Sequence, residues 1–103
     1  MVRVYDLGHS RAGDKGNTSN VSVIAYDARA WEILERELTA GRVARAYGHI
    51  TAGPVRRYVL PKLRALNFVI EGALGGGVTR SLAQDKHGKS LSTLILTIEL
   101  PDR

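Results

Sequence analysis

The twelve residues from His9 to Asn20 hold two glycines, three formal charges and a run of short hydrogen-bonding side chains, set between two segments of alternating β-branched character. Glycine, aspartate, asparagine and serine favour turns over ladders, so this stretch reads as a long polar loop held at both ends by strands. Loops of that length are binding elements or solvated hairpin tips. A chain built around two such strands needs a sheet, and the remaining segments must supply what covers it.

Val2 and Val4 alternate with Arg3 and Tyr5, which predicts a first strand. After the loop, Val21, Val23 and Ala25 fall on one face and Ser22, Ile24 and Tyr26 on the other, which predicts a second. Asp27 then stands as an N-cap, and Trp31, Leu34 and Leu38, helped by Ala30 and Ile33, share one face at helical spacing. Thr39 caps a second short helix through Val43, Ala46 and Tyr47, before His49 to Pro54 breaks the pattern with Gly53-Pro54. Val55 to Leu60 reads as a strand.

Pro61 has no backbone N–H to lose at a helix start, so the pattern predicts a helix from Lys62 to Leu74 with Leu63, Leu66, Ile70 and Leu74 as its buried stripe. Asn67 falls on that stripe, which would place an amide in the core in need of partners. Gly75-Gly76-Gly77 ends the helix. Val78 to Gln84 and Lys89 to Leu100 then pair across Asp85-Lys86-His87-Gly88, with Leu94, Leu96, Ile98 and Leu100 on the covered face of the last strand. The expected order is strand, strand, helix, strand, helix, strand, strand. The simplest way to bury these stripes is an α+β ferredoxin-like sandwich, a mostly antiparallel sheet with two helices on one face, in one domain spanning 1–103.

Composition narrows the function. The 103 residues contain no cysteine, which removes disulfides, thiolate chemistry and cysteine-ligated zinc. No apolar run approaches the ~20 residues of a membrane span, and the amino terminus lacks the apolar core of a signal peptide, so a cytoplasmic location is expected. The net charge of +5 is uneven: Met1 to Pro54 holds seven basic and six acidic residues, Val55 to Arg103 eight and four. That balance attracts anions without choosing among them. Six scattered aromatics make no stacking platform for single-stranded nucleic acid. Nucleic-acid binding through Arg56, Arg57, Lys62 and Arg64 is therefore the third-ranked reading.

Catalytic templates fail one by one. Gly8-His9-Ser10-Arg11-Ala12 approaches a nucleophile elbow but has Ala12 where the second glycine belongs. Gly13-Asp14-Lys15-Gly16-Asn17-Thr18 lacks the glycine-lysine-serine/threonine order of a phosphate loop. His9, His49 and His87 are too scattered to announce a metal site, and none is assigned. Asp14 and Asp85 sit in glycine-rich turns, where accepting backbone N–H bonds is the ordinary use of an aspartate. What survives is a polar-ligand site: Arg11 offers a planar fork for phosphate or carboxylate, Lys15 a point charge, and Gly13 and Gly16 let backbone N–H groups face a ligand. Asn17, Thr18, Ser19 and Asn20 either hold the loop or touch the ligand. Arg80 shares strand parity with Val78 and Leu82, so it needs a carboxylate partner or a pocket beside the glycine run.

His9 to Asn20, Arg57-Tyr58-Val59-Leu60-Pro61, Ala65-Leu66-Asn67-Phe68-Val69, Gly76-Gly77-Val78-Thr79-Arg80-Ser81-Leu82 and Asp85-Lys86-His87-Gly88-Lys89, in that order, resemble the small AtuA-type domain of acyclic terpene utilisation proteins. The resemblance covers nearly the whole chain. Ser10 and Ala12 depart from it, standing where the family more often has alanine and serine, and Val59 and Lys62 stand where an acidic residue and asparagine are common. The resemblance implies a ferredoxin-like domain, either fused to the carboxyl end of a larger domain or encoded as a short protein beside it.

It further implies an accessory subunit of a two-component enzyme acting on coenzyme A thioesters in catabolism of acyclic terpenes or branched and unusual acids, by hydration or lyase chemistry. The thioester is substrate, and no cofactor is implied. On that reading Asp14 is the acid or base, and Arg11, Lys15, Asn17, Asn20 and Arg80 bind substrate. Gly13, Gly16, Asn67, Gly76, Gly77 and Ser81 support them. The expected partner is a larger AtuA-like subunit, and a homo-oligomer is compatible with it. The rival reading is a non-catalytic interaction module that docks on that partner.

Overall fold

The computed structural model describes residues 1–15, 18–47, 54–71 and 89–101, with the side chains of 14, 15 and 89–91 outside that description. Along these residues the chain forms β1 (Val2–Arg3), α1 (Val4–Leu7), β2 (Gly8–Lys15), β3 (Thr18–Ala25), α2 (Ala28–Glu37) and α3 (Ala40–Ala46). It continues through β4 (Val55–Leu60), a 3-10 turn (Pro61–Leu63), β5 (Ala65–Glu71), α4 (Lys89–Leu96) and β6 (Glu99–Leu100). The main sheet is antiparallel throughout, in the order β2-β3-β5-β4, and a small second sheet pairs β1 with β6.

Strand alternation decides which side of the main sheet is covered. Val21 pairs with Phe68 and Val23 with Leu66 across the two central strands, and Ser19 pairs with Ile70. Val21, Val23, Leu66, Phe68 and Ile70 are fully buried, each worth ~1.5–3 kcal/mol of transfer free energy. Above that row lie α2 over β3 and β5, α3 beside β4 and α4 over β2. Ala30, Ile33 and Leu34 of α2, Val43 of α3 and Ile95 of α4 join the sheet residues in one core. The result is the expected α+β arrangement of an antiparallel sheet with helices on one face.

The helix signals after β3 act as local chemistry dictates. The Asp27 carboxylate accepts the Ala30 N–H at 2.8 Å, and the Thr39 hydroxyl oxygen accepts the Arg42 N–H at 3.2 Å. Each cap satisfies a donor that the first helical turn leaves orphaned.

Four expectations are corrected. The first strand stops at Arg3, and Val4–Leu7 is a helical turn. Positions i and i+3 then send Val4 and Leu7 inward, while Asp6 accepts the Arg3 N–H at 3.2 Å. The long polar loop is mostly hairpin: β2 runs to Lys15 and β3 begins at Thr18. Its inward positions escape hydropathy because they are small. Ser10 Oγ donates to Ser92 O of α4 at 2.8 Å and Ser19 Oγ to Gly13 O at 3.0 Å, so half-buried Ser10 and buried Ser19 have their hydroxyls satisfied at positions where a strand ordinarily carries larger apolar side chains.

As far as Glu71, the helix expected over Lys62 to Leu74 is instead a 3-10 turn followed by β5, and residues 72–74 lie outside the described ones. Leu66 and Ile70, four apart, fit a period of 3.6 and a period of 2 equally well. Phe68 and the β-branched Val69 and Ile70 resolve it toward a central strand, where they bury best. Asn67 therefore leaves the core stripe for the opposite face, and Leu63 is exposed. The long last strand is α4 as far as Leu96, with only Glu99–Leu100 extended. Ile95, expected on the outer face, is fully buried. A leucine-rich run has high helix propensity, and a helix over β2 covers that edge as no hairpin strand can. Gly75-Gly76-Gly77 and the strand expected over Val78 to Gln84 lie outside the described residues.

Candidate functional site

The face of the main sheet turned away from the helices collects polar side chains from four segments. Register aligns Arg11, Ser22, Asn67 and Tyr58 in one cross-strand row, and Gly13, Asn20, Val69 and Arg56 in the next. Side chains on one face of adjacent strands stand ~5 Å apart, close enough to act on a shared ligand. Asn67 Nδ2 donates to Ser22 Oγ at 2.8 Å, which fixes both groups at the centre of the row. Arg11 is exposed at one end and Tyr58 at the other.

The charges on this face differ in their engagement. Arg56 pairs with Glu71 at 3.3 Å on the surface, a contact worth little in water. Among the described residues, no hydrogen bond or ion pair holds the Arg11 guanidinium. His9, one register step along β2, stacks on Tyr26 with ring centroids 5.9 Å apart. A free planar guanidinium beside an amide and a hydroxyl recognises a carboxylate or phosphate by bidentate, charge-assisted hydrogen bonds.

Of the residues expected at the site, the structure brings Arg11, Gly13, Asn20 and Asn67 together on this face. Gly13 gains nothing from its lack of a side chain that alanine would forfeit sterically, since a Cβ there meets Asn20 Nδ2 at an ordinary 3.5 Å. Among the described glycines of the hairpin, the one whose missing side chain is required is Gly8: a Cβ would lie 2.3 Å from the Ile24 carbonyl oxygen on the neighbouring strand. Asp14 and Lys15 occupy the register positions opposite Ser19 and Thr18, with their side chains outside the described residues. Gly16, Asn17, Gly76, Gly77, Arg80 and Ser81 also lie outside them.

Ser22, Tyr58 and Arg56 were not singled out for this face from the sequence. Only cross-strand register joins them to Arg11, and register is not written in any one segment. Arg57, taken as a basic contact, turns to the helix side. Its Nη1 donates to Glu35 O at 2.9 Å and Leu38 O at 3.1 Å, capping the carboxyl end of α2 where a cation is favoured. Tyr47, at the end of α3, is fully buried with a hydrogen bond to the Ile95 backbone. Burial drives its phenol well above the usual tyrosine range, and that bond only partly offsets the shift. Among the described residues, no group of three His, Asp or Glu is placed to hold a metal ion, and no helix is long and apolar enough to cross a membrane.

An antiparallel sheet with helices on one side and a polar open face defines a ferredoxin-like α+β domain. The chain belongs to the family described as AtuA ferredoxin-like domain, whose match spans residues 2–101. No curated protein and no solved structure matches it.

Proposed function

We propose that this chain is the small subunit of a two-component AtuA-like enzyme, which docks on a larger AtuA-like protein and lends its open sheet face to a shared site for a coenzyme A thioester. The observation that carries the reading is the unengaged guanidinium of Arg11, held on a rigid strand beside the fixed Ser22–Asn67 pair. Such a group suits the phosphates or the carboxylate of an acyl-CoA. Lys15 adds a second cation and Asn17 and Asn20 add hydrogen bonds, while Asp14, whose register position opposite Ser19 belongs to the helix-side row, serves as acid or base from the end of the hairpin in hydration or carbon–carbon lyase chemistry. Arg80 also binds substrate, with Gly76, Gly77 and Ser81 in supporting roles. The pair works in the cytoplasm on acyclic terpene-derived or other branched acids.

The test is acyl-CoA binding by the assembled complex. Arg11→Ala lowers affinity about 10- to 100-fold and leaves the melting temperature unchanged; an equal loss of both makes Arg11 a structural residue. The second reading is a non-catalytic docking module, favoured by the exposed apolar side chains of Val59, Leu60 and Leu63. The open grooves described line Val59 to Leu63 and the α3–α4 side, and neither has Arg11 in its lining. Asp14→Asn separates the two: turnover falls if this chain supplies the acid or base, and stays if it only docks.

A further inference from the structure

We propose that the tip of the β4–β5 hairpin, Val59 to Arg64, is the knob by which this chain seats in its larger protein partner, with Leu63 entering an apolar socket rimmed by carboxylates. The proposal rests on the two-component reading and adds the surface and the chemistry of its partner.

Exposed apolar side chains are concentrated here. Of the seven large hydrophobic residues exposed among the described residues, four fall in one six-residue run: Tyr58 at 48%, Val59 at 36%, Leu60 at 40% and Leu63 at 67%. Val59, Leu60, Pro61, Lys62 and Leu63 line an open groove of about 600 Å³. Scattered surface leucines need no explanation, whereas a contiguous patch marks an interaction site.

The tip is also built rather than left over. Arg64 adopts the left-handed conformation at φ 50° and ψ 47°, the one non-glycine among the described residues with positive φ. That conformation is disfavoured for a residue with a Cβ and persists only where the surroundings hold it. Here the Arg64 N–H donates to Pro61 O at 3.1 Å, its carbonyl accepts the Ala25 N–H at 2.9 Å, and Pro61 fixes its own φ. Leu63 is thereby presented on a preorganised turn, which lowers the ordering cost of binding.

Charge selects the occupant. From Leu38 to Ile70 the sequence holds six basic residues and no acidic one. Lys62 and Arg64 flank Leu63 and are exposed. A second copy would set these cations against their own images, which disfavours self-association. An anionic bilayer would accept the charge but would make no use of the groove or of the fixed turn that presents Leu63. A protein surface with an apolar hollow and an acidic rim meets every feature.

The experiment measures binding of the full chain to a larger AtuA-like protein. Leu63→Asp weakens the complex by roughly 30-fold or more, and Lys62→Glu weakens it by about tenfold with a shallower salt dependence. Leu63→Ser and Leu63→Asp keep the wild-type melting temperature, because the side chain is exposed, and Arg11→Ala keeps the complex. Binding of Leu63→Asp at wild-type strength overturns the proposal while sparing the two-component reading. So does a dimer of the chain alone that Leu63→Asp converts to monomer, or sedimentation of the chain with phosphatidylserine vesicles that the same variant abolishes. Absence of any complex with the wild-type chain defeats the two-component reading itself, and the knob with it.

Discussion

The two faces of β5 are the instructive comparison. Leu66, Phe68 and Ile70 point to the helices and are fully buried, while Asn67, between them, points to the open face and carries a hydrogen bond to Ser22. Backbone and ladder are common to both, so what differs is what each side chain does for the fold. One face is held by packing, where a lost methylene is felt. The other is free of that duty, which lets it keep an unengaged arginine that a core would not tolerate.

The largest test of this division is Phe68→Ala, expected to cost about 3–5 kcal/mol in denaturant unfolding. A loss under 1 kcal/mol would show that the helix-side row is not the core. Next is the alkaline limb. The phenol of Tyr47 has its pKa raised by burial, so the unfolded chain gives up that proton first and stability falls as pH rises above the unfolded value of about 10. Below that pH its contribution is fully present. Tyr47→Phe should cost about 1 kcal/mol at neutral pH and flatten the loss of melting temperature above pH 10; an unchanged alkaline slope would place the sensitivity elsewhere. Smallest of the three is Asn67→Ala, expected to cost about 0.5–1.5 kcal/mol for the bond to Ser22. A cost matching that of Phe68→Ala would erase the distinction between the faces.

The parts of the fold legible in the sequence are those whose cause is local. Asp27 and Thr39 announce their helices because a cap needs only a side-chain oxygen and the next turn. The strand after Gly53-Pro54 needs only its composition. By contrast, Leu66 to Ile70 and Lys89 to Leu96 are short apolar runs that satisfy either period, and burial partners far along the chain choose between them. The candidate site divides in the same way. Arg11 and Asn20 stand out as chemistry in a glycine-marked stretch, whereas Ser22, Asn67 and Tyr58 become neighbours of Arg11 only through pairing.

The sequence alone therefore determined the helix caps, the antiparallel α+β character and the family, since caps, turns and hydropathy act over a few residues. The register of β3 against β5, which face stays open, and the exposure of Leu63 on its turn were settled by tertiary packing. Each depends on which apolar row the three helices bury, and that choice is made by segments more than forty residues apart in the chain.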